Sequence, residues 1–142
     1  MAADQTPAPD PDRRALGKAN MKRVYGWDID QVEGPFVEYT VDHLFGSVWE
    51  EGKLTVRDRR LMLIGMAAGS GLEDVAGLQL DAAVRLGELD ADDLRTIVVL
   101  LAHYAGWPRA ARLNTEVEKI IARTAKAAAA AAEDADAPDG TA

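Results

Sequence analysis

Residues 90–108 read D-A-D-D-L-R-T-I-V-V-L-L-A-H-Y-A-G-W-P. Asp90 is placed to cap a helix, its carboxylate accepting N–H groups that the first turn leaves unpaired. Leu94, Ile97, Val98 and Leu101 then recur at three- and four-residue steps, which is one face of a helix and not the alternation of a strand. Gly106 stops the pattern, and Pro108 starts another helix where its missing N–H costs nothing. A second uncharged face carries Thr96, Val99, Leu100, His103 and, past the helix end, Trp107. A helix that is apolar on two sides is expected to be central and largely buried.

The same signals recur on either side. Thr55 followed by Asp58 resembles a capping box, opening a helix through Leu61, Ile64, Met66 and Ala68 that Gly69-Ser70-Gly71 closes. A fourth helix is expected over Leu72–Leu86, with Gly87 as a left-handed stop. Upstream, Pro35 opens a helix that carries Val37, Val41, Leu44, Phe45 and Val48 up to Trp49, and a shorter helix is expected over Arg13–Val24. Downstream, Leu113, Val117, Ile120 and Ile121 form the inward stripe of the last helix, which a run of alanines can extend. No segment alternates with a sustained period of two. The expected fold is therefore all-α, a compact bundle of five to six helices joined by short loops. One domain is expected over 13–133, between tails at 1–12 and 134–142 whose composition reads as disordered.

Composition narrows the function classes. The 142 residues are 48% hydrophobic and 28% charged, enough for a globular core. The net charge of −8 opposes a phosphate backbone, and the only dense basic group is Arg57, Arg59 and Arg60 around Asp58, so no nucleic-acid partner is expected. There is no cysteine, which excludes disulfides, thiolate nucleophiles and Cys-ligated zinc. Neither a signal-like apolar run nor a membrane-spanning stretch is present, so a cytoplasmic protein without a membrane partner is expected.

Four groups of residues carry possible chemistry. Gln79 falls in the inward stripe of the fourth helix, with Leu72, Val75, Ala76, Ala83 and Leu86. There its amide is either satisfied within the core or an interface, or lines a pocket. His103 is either a structural histidine giving one N–H to a carbonyl or a proton-transfer group that titrates near neutral pH. His43 shares a helix face with Phe36, Tyr39 and Ser47; the two histidines lack the companion carboxylates that would specify a metal, so none is expected. Arg57 to Arg60, at a helix start that disfavours cations, either pair with local acids or hold an anion, with Arg59 a candidate for burial.

In order along the chain, Phe45-Gly46-Ser47-Val48-Trp49, Gly52-Lys53-Leu54-Thr55-Val56-Arg57-Asp58-Arg59, Gly87, Tyr104-Ala105-Gly106-Trp107-Pro108 and Asn114 resemble the carboxymuconolactone decarboxylase family, relatives of the AhpD alkylhydroperoxidases. The resemblance implies an all-helical fold of that type, assembled as trimers or hexameric rings with pockets near subunit contacts. Peroxidase members use a Cys-x-x-Cys pair on the helix corresponding to 72–87, an activity this cysteine-free chain lacks the atoms for. Decarboxylase members place a Glu and, four residues later, a His on that helix; aligned on Gly87, Val75 and Gln79 stand there. Arg59, Trp49 and Trp107 match retained positions.

Two functions are consistent with these residues. The first is a cofactor-free lyase or isomerase acting on a small carboxylated or lactone-type organic acid. His103 and Gln79 would be its catalytic groups, and Arg57, Arg59, Trp49, Trp107 and His43 its substrate contacts. The alternative is a non-catalytic, homo-oligomeric binding or assembly protein that kept the fold and lost the proton-transfer residues. A shared cavity for Gln79 and His103 favours the first, and a filled core favours the second.

Overall fold

A computed structural model describes residues 10–135, and contacts divide the chain into two compact units, Met1–Val56 and Arg57–Ala142. The described residues are all-helical, as the sequence pattern predicts: six α-helices and two irregular helical turns, without a strand. None of these helices is long and apolar enough to cross a membrane.

In the first unit, α1 spans Pro11–Tyr25. It starts earlier than the sequence reading expects, because the Asp10 carboxylate accepts the Asp12 N–H at 3.0 Å and proline follows the cap directly. Residues 11 and 12 are thus helix rather than tail; residues 1–9 and 136–142 lie outside the described part. The expected helix from Phe36 to Trp49 is not a single α-helix. It begins as the one-turn α2, Pro35–Glu38, widens into a π-helical turn over Tyr39–Phe45, and tightens into a 3₁₀ turn over Val48–Glu50.

The packing of α1 on the π turn accounts for much of this unit. Gly17 backs onto the Val41 carbonyl so closely that a Cβ there would collide with it. Arg14 forks onto Asp42, Nε to Oδ1 at 2.9 Å and Nη2 to Oδ2 at 2.5 Å. Buried Asn20 donates to the Phe45 carbonyl at 2.8 Å and to Glu50 Oε1 at 2.7 Å, serving a carbonyl and a carboxylate of the irregular stretch. Met21, Val24, Val41, Phe45 and Trp49 form the apolar interior.

The second unit holds α3 (Val56–Ser70), α4 (Glu73–Arg85), α5 (Ala91–Ala105) and α6 (Trp107–Ala135). Gly87, at φ 72°, ends the turn after α4. Asp90 caps α5 in a complete capping box: its carboxylate accepts the Asp92 and Asp93 N–H groups, and the Asp93 carboxylate accepts the Asp90 N–H. α6 packs against α4 and α5. Ile64, Leu80, Leu94, Leu113 and Val117 are buried at the centre, and Ala67, Ala76, Ala83 and Ala102 are buried around them. Beyond Ile121 every described residue of α6 is exposed, so the alanine run is helical by intrinsic propensity and not by burial.

Contrary to the pattern of its sequence, α5 is not buried on both of its apolar sides. Only one apolar face of α5, that of Leu94, Val98 and Ala102, is buried. The other is open within the chain: Val99 is 58% exposed, Leu100 57% and Trp107, just past the helix, 69%.

Candidate functional site

The most constrained polar group in the second unit centres on Arg60, a member of the Arg57–Arg60 group in which Arg59 is the one expected to be buried. Arg60 is 0% exposed, deeper than Arg57 or Arg59. It stands four residues before Ile64 and seven before Ala67, on the buried stripe of α3. A buried guanidinium must have partners for its charge and its donors. Arg60 Nε donates to Glu88 Oε2 at 2.7 Å, Nη2 to Glu88 Oε1 at 3.0 Å, and Nη1 to Gln79 Oε1 at 3.0 Å. Among the described residues no buried side-chain polar atom lacks a hydrogen-bond partner. The helical periodicity of α3 carried the signal for Arg60; the signal for Glu88 was its place directly after the Gly87 stop.

This assigns a setting to Gln79. The amide is buried in α4 with Ala76 and Ala83, whereas Leu72, Val75 and Leu86 of the expected inward stripe are exposed, and its oxygen accepts from a cation. An amide held this way helps to orient the guanidinium, whose charge Glu88 balances, but it does not titrate near neutral pH and moves no proton there.

His103 is placed otherwise than expected. It is exposed, on the outer face of α5, because the face it shares with Val99 and Leu100 is the uncovered one. Its Nδ1 lies 2.8 Å from the Val99 carbonyl one turn back. A carbonyl only accepts, so Nδ1 carries the proton, leaving Nε2 as the basic atom of the neutral ring. The imidazole stands at 6.2 Å and 55° to the Trp107 ring. It borders an open concavity of about 500 Å³ with Arg95, Thr96, Val99 and Leu100. Gln79 is not among the residues lining that concavity, nor a second one of about 310 Å³ between α3 and α5. Neither of these two concavities brings Gln79 and His103 together: one group is buried in the interior and the other is at the surface.

The remaining candidates separate similarly. Arg57 is exposed at the α3–α5 concavity, where its Nε–H reaches the Glu88 carbonyl at 3.5 Å. Arg59 is half-buried. Trp107 lies exposed beside His103. In the first unit, Trp49 is buried and stacked on Phe45, ring centroids 5.3 Å apart and planes 16° from parallel, so its ring is part of that unit's interior. His43 is exposed on the π turn. Among the described residues no three or more His, Cys, Asp or Glu side chains are grouped to hold a metal ion.

Carboxylates paired with arginines set the electrostatics around α4 and α6. Glu73 is held below the usual carboxylate range, chiefly by its hydrogen bond from Arg112. For Asp81, desolvation is the largest single influence and acts upward, yet bonds from Arg85 and Arg123 together outweigh it and the carboxyl ends lower. Glu118 is lowered by the hydrogen bond of Arg95, which spans from α5 to α6. All three are surface ties between or along helices, suited to fixing helix positions and not to accepting a proton at neutral pH.

Against known families, the model of the carboxymuconolactone decarboxylase family matches residues 34–119, more than half of the chain. No curated protein and no solved structure matches it.

Proposed function

Because the chain belongs to the carboxymuconolactone decarboxylase family, we propose that it keeps the family's architecture as a homo-oligomer in which the proton-transfer position has become a structural tie, making it a binding or assembly protein and not a lyase. The observation that carries this reading is the buried Arg60–Gln79–Glu88 group. Where alignment on Gly87 expects the decarboxylase His, Gln79 is committed to a guanidinium that is itself committed to Glu88. The uncovered face of α5 supports the assembly half: Val99, Leu100 and, just past the helix, Trp107 are large exposed apolar side chains of the kind that protein contacts bury.

Light scattering at micromolar concentration tests the assembly, with an expected mass at least about three times the 15.3 kDa of the chain. A monomer at that concentration overturns it. Turnover of carboxylated lactones, followed by loss of the carboxylate as carbon dioxide or by ring opening, tests the chemistry; any rate that scales with enzyme overturns the non-catalytic half.

One observation favours a second reading, that of a lyase or isomerase for a small organic acid. Support for it is that His103, with Nδ1 on the Val99 carbonyl, borders a concavity that Arg95, paired with Glu118, also borders. In that case His103→Gln lowers the rate roughly a hundredfold while leaving the assembled mass unchanged.

A further inference from the structure

The concavity of about 310 Å³ between α3 and α5 lies within the second unit and takes no part in the Arg60–Gln79–Glu88 tie. Its walls are aliphatic: Leu61 and Ile64 from α3, Leu89, and Ile97, Leu100 and Leu101 from α5, Leu100 also belonging to the exposed face of that helix. Its size is that of a small-ligand site, for which volumes begin near about 300 Å³.

Gly65 also borders it, and this glycine is in the interior of α3, where glycine is among the poorest helix formers. No close packing explains it. A Cβ built on Gly65 meets nothing within 4 Å, in contrast to Gly17, whose Cβ would strike backbone. What the missing side chain leaves is open volume against an apolar wall.

The polar groups bordering the concavity are Arg57, Asp93 and Thr96. Asp93 is held in the capping box, its carboxylate accepting the Asp90 N–H at 3.2 Å. Arg57 is held by little. Among the described residues its one contact is the 3.5 Å donation from Nε to the Glu88 carbonyl, so both terminal nitrogens keep their donors. A guanidinium with a free fork beside an aliphatic wall matches a carboxylate on an apolar body. The Asp93 charge at the same border repels a second anionic group and so selects a monoanion.

We propose that this concavity binds a small apolar monocarboxylate, its hydrocarbon part against Leu61, Ile64, Ile97 and Leu101 over Gly65 and its carboxylate on the Arg57 fork. The site goes beyond the assembly reading and does not rest on it, because one unit of a single chain supplies every group named.

Titration calorimetry on the full chain tests the proposal with three probes of similar length: octanoate, octanamide and the dicarboxylate suberate. Octanoate is expected to bind at least about tenfold more tightly than either of the others. Arg57→Gln should bring octanoate down to the level of octanamide. Gly65→Leu fills the volume and should abolish binding of all three, with the melting transition and the assembled mass retained. Equal affinity for octanoate and octanamide, no binding of octanoate, or binding that survives Gly65→Leu overturns the proposal. So does a fall in assembled mass with Gly65→Leu, which gives the concavity to a second copy of the chain. A monomeric wild type that binds octanoate as described leaves the ligand site standing while the assembly reading fails.

Discussion

Arg60 donates from Nη1 to Gln79 Oε1 at 3.0 Å, joining α3 to α4 inside the second unit, while Nε and Nη2 of the same guanidinium hold both oxygens of Glu88. A charge with no exposed surface is stable only with its partners in place, so the two ends of the tie differ in cost. Arg60→Met strands the Glu88 carboxylate and is expected to lower unfolding free energy by about 3–5 kcal/mol. Gln79→Leu withdraws one acceptor from the guanidinium and should cost about 1–3 kcal/mol. Urea denaturation of the two variants checks the order; an Arg60→Met protein as stable as wild type would show that the tie contributes nothing.

The acid limb of stability follows from paired carboxylates. Asp42 is held below its ordinary value, mainly by the hydrogen bond from Arg14, and Glu73, Asp81 and Glu118 are lowered as well. A carboxyl whose folded pKa lies below its unfolded value of about 4 contributes stability above that pH and loses it as pH falls through the folded value. The denaturation midpoint should therefore stay level from neutral pH to about 5 and decline below about 4. Asp42→Asn should be less stable than wild type at pH 7, with the gap closing in acid; a gap that is the same at pH 7 and pH 3 contradicts the assignment.

Helix starts and stops were legible because each is a local event. Asp90, Gly87 and Pro35 act through their own side chain or φ within one turn, and each stands where its chemistry requires. The helix after Pro35 departs from its apolar pattern where the π turn over Tyr39–Phe45 meets α1, at Gly17 and at Arg14–Asp42, contacts far away in sequence. Gln79 was legible as buried, its partner less so. Arg60 lies among other arginines, and only the phase of Ile64 and Ala67 on α3 separates it from Arg57 and Arg59. For His103, apolar periodicity on the outer face of α5 predicts burial, and the same periodicity is what an exposed contact face presents.

That face gives a prediction about assembly. If Val99 and Trp107 are buried between copies, a charge at each costs far more in the assembly than in the separate chain. Val99→Lys with Trp107→Lys is expected to yield a monomer by light scattering, with helical circular dichroism retained. A variant of unchanged mass would remove α5 from the contact.

The exposure of His103 also sets its contribution to folding. Among the described residues its hydrogen bond is to the carbonyl a turn back, on the solvent side. His103→Gln should change unfolding free energy by no more than about 0.5 kcal/mol. A larger loss in the assembled protein that vanishes in the Val99→Lys, Trp107→Lys background would place the imidazole at the contact between copies.

Two helical glycines give the sharpest test of the packing, since the same substitution should act with opposite sign. At Gly17 in α1 the added methyl meets the Val41 carbonyl, which belongs to backbone and cannot swing aside. Gly17→Ala must push α1 off the π turn and is expected to cost about 1–3 kcal/mol, the usual range for overpacking. At Gly65 in α3 the methyl enters open space, so Gly65→Ala gains helix propensity and should stabilise by about 0.5–1 kcal/mol. Chemical denaturation of the two single variants decides the matter: shifts of the same sign would mean that the α1 contact, or the open volume beside α3, is not as described.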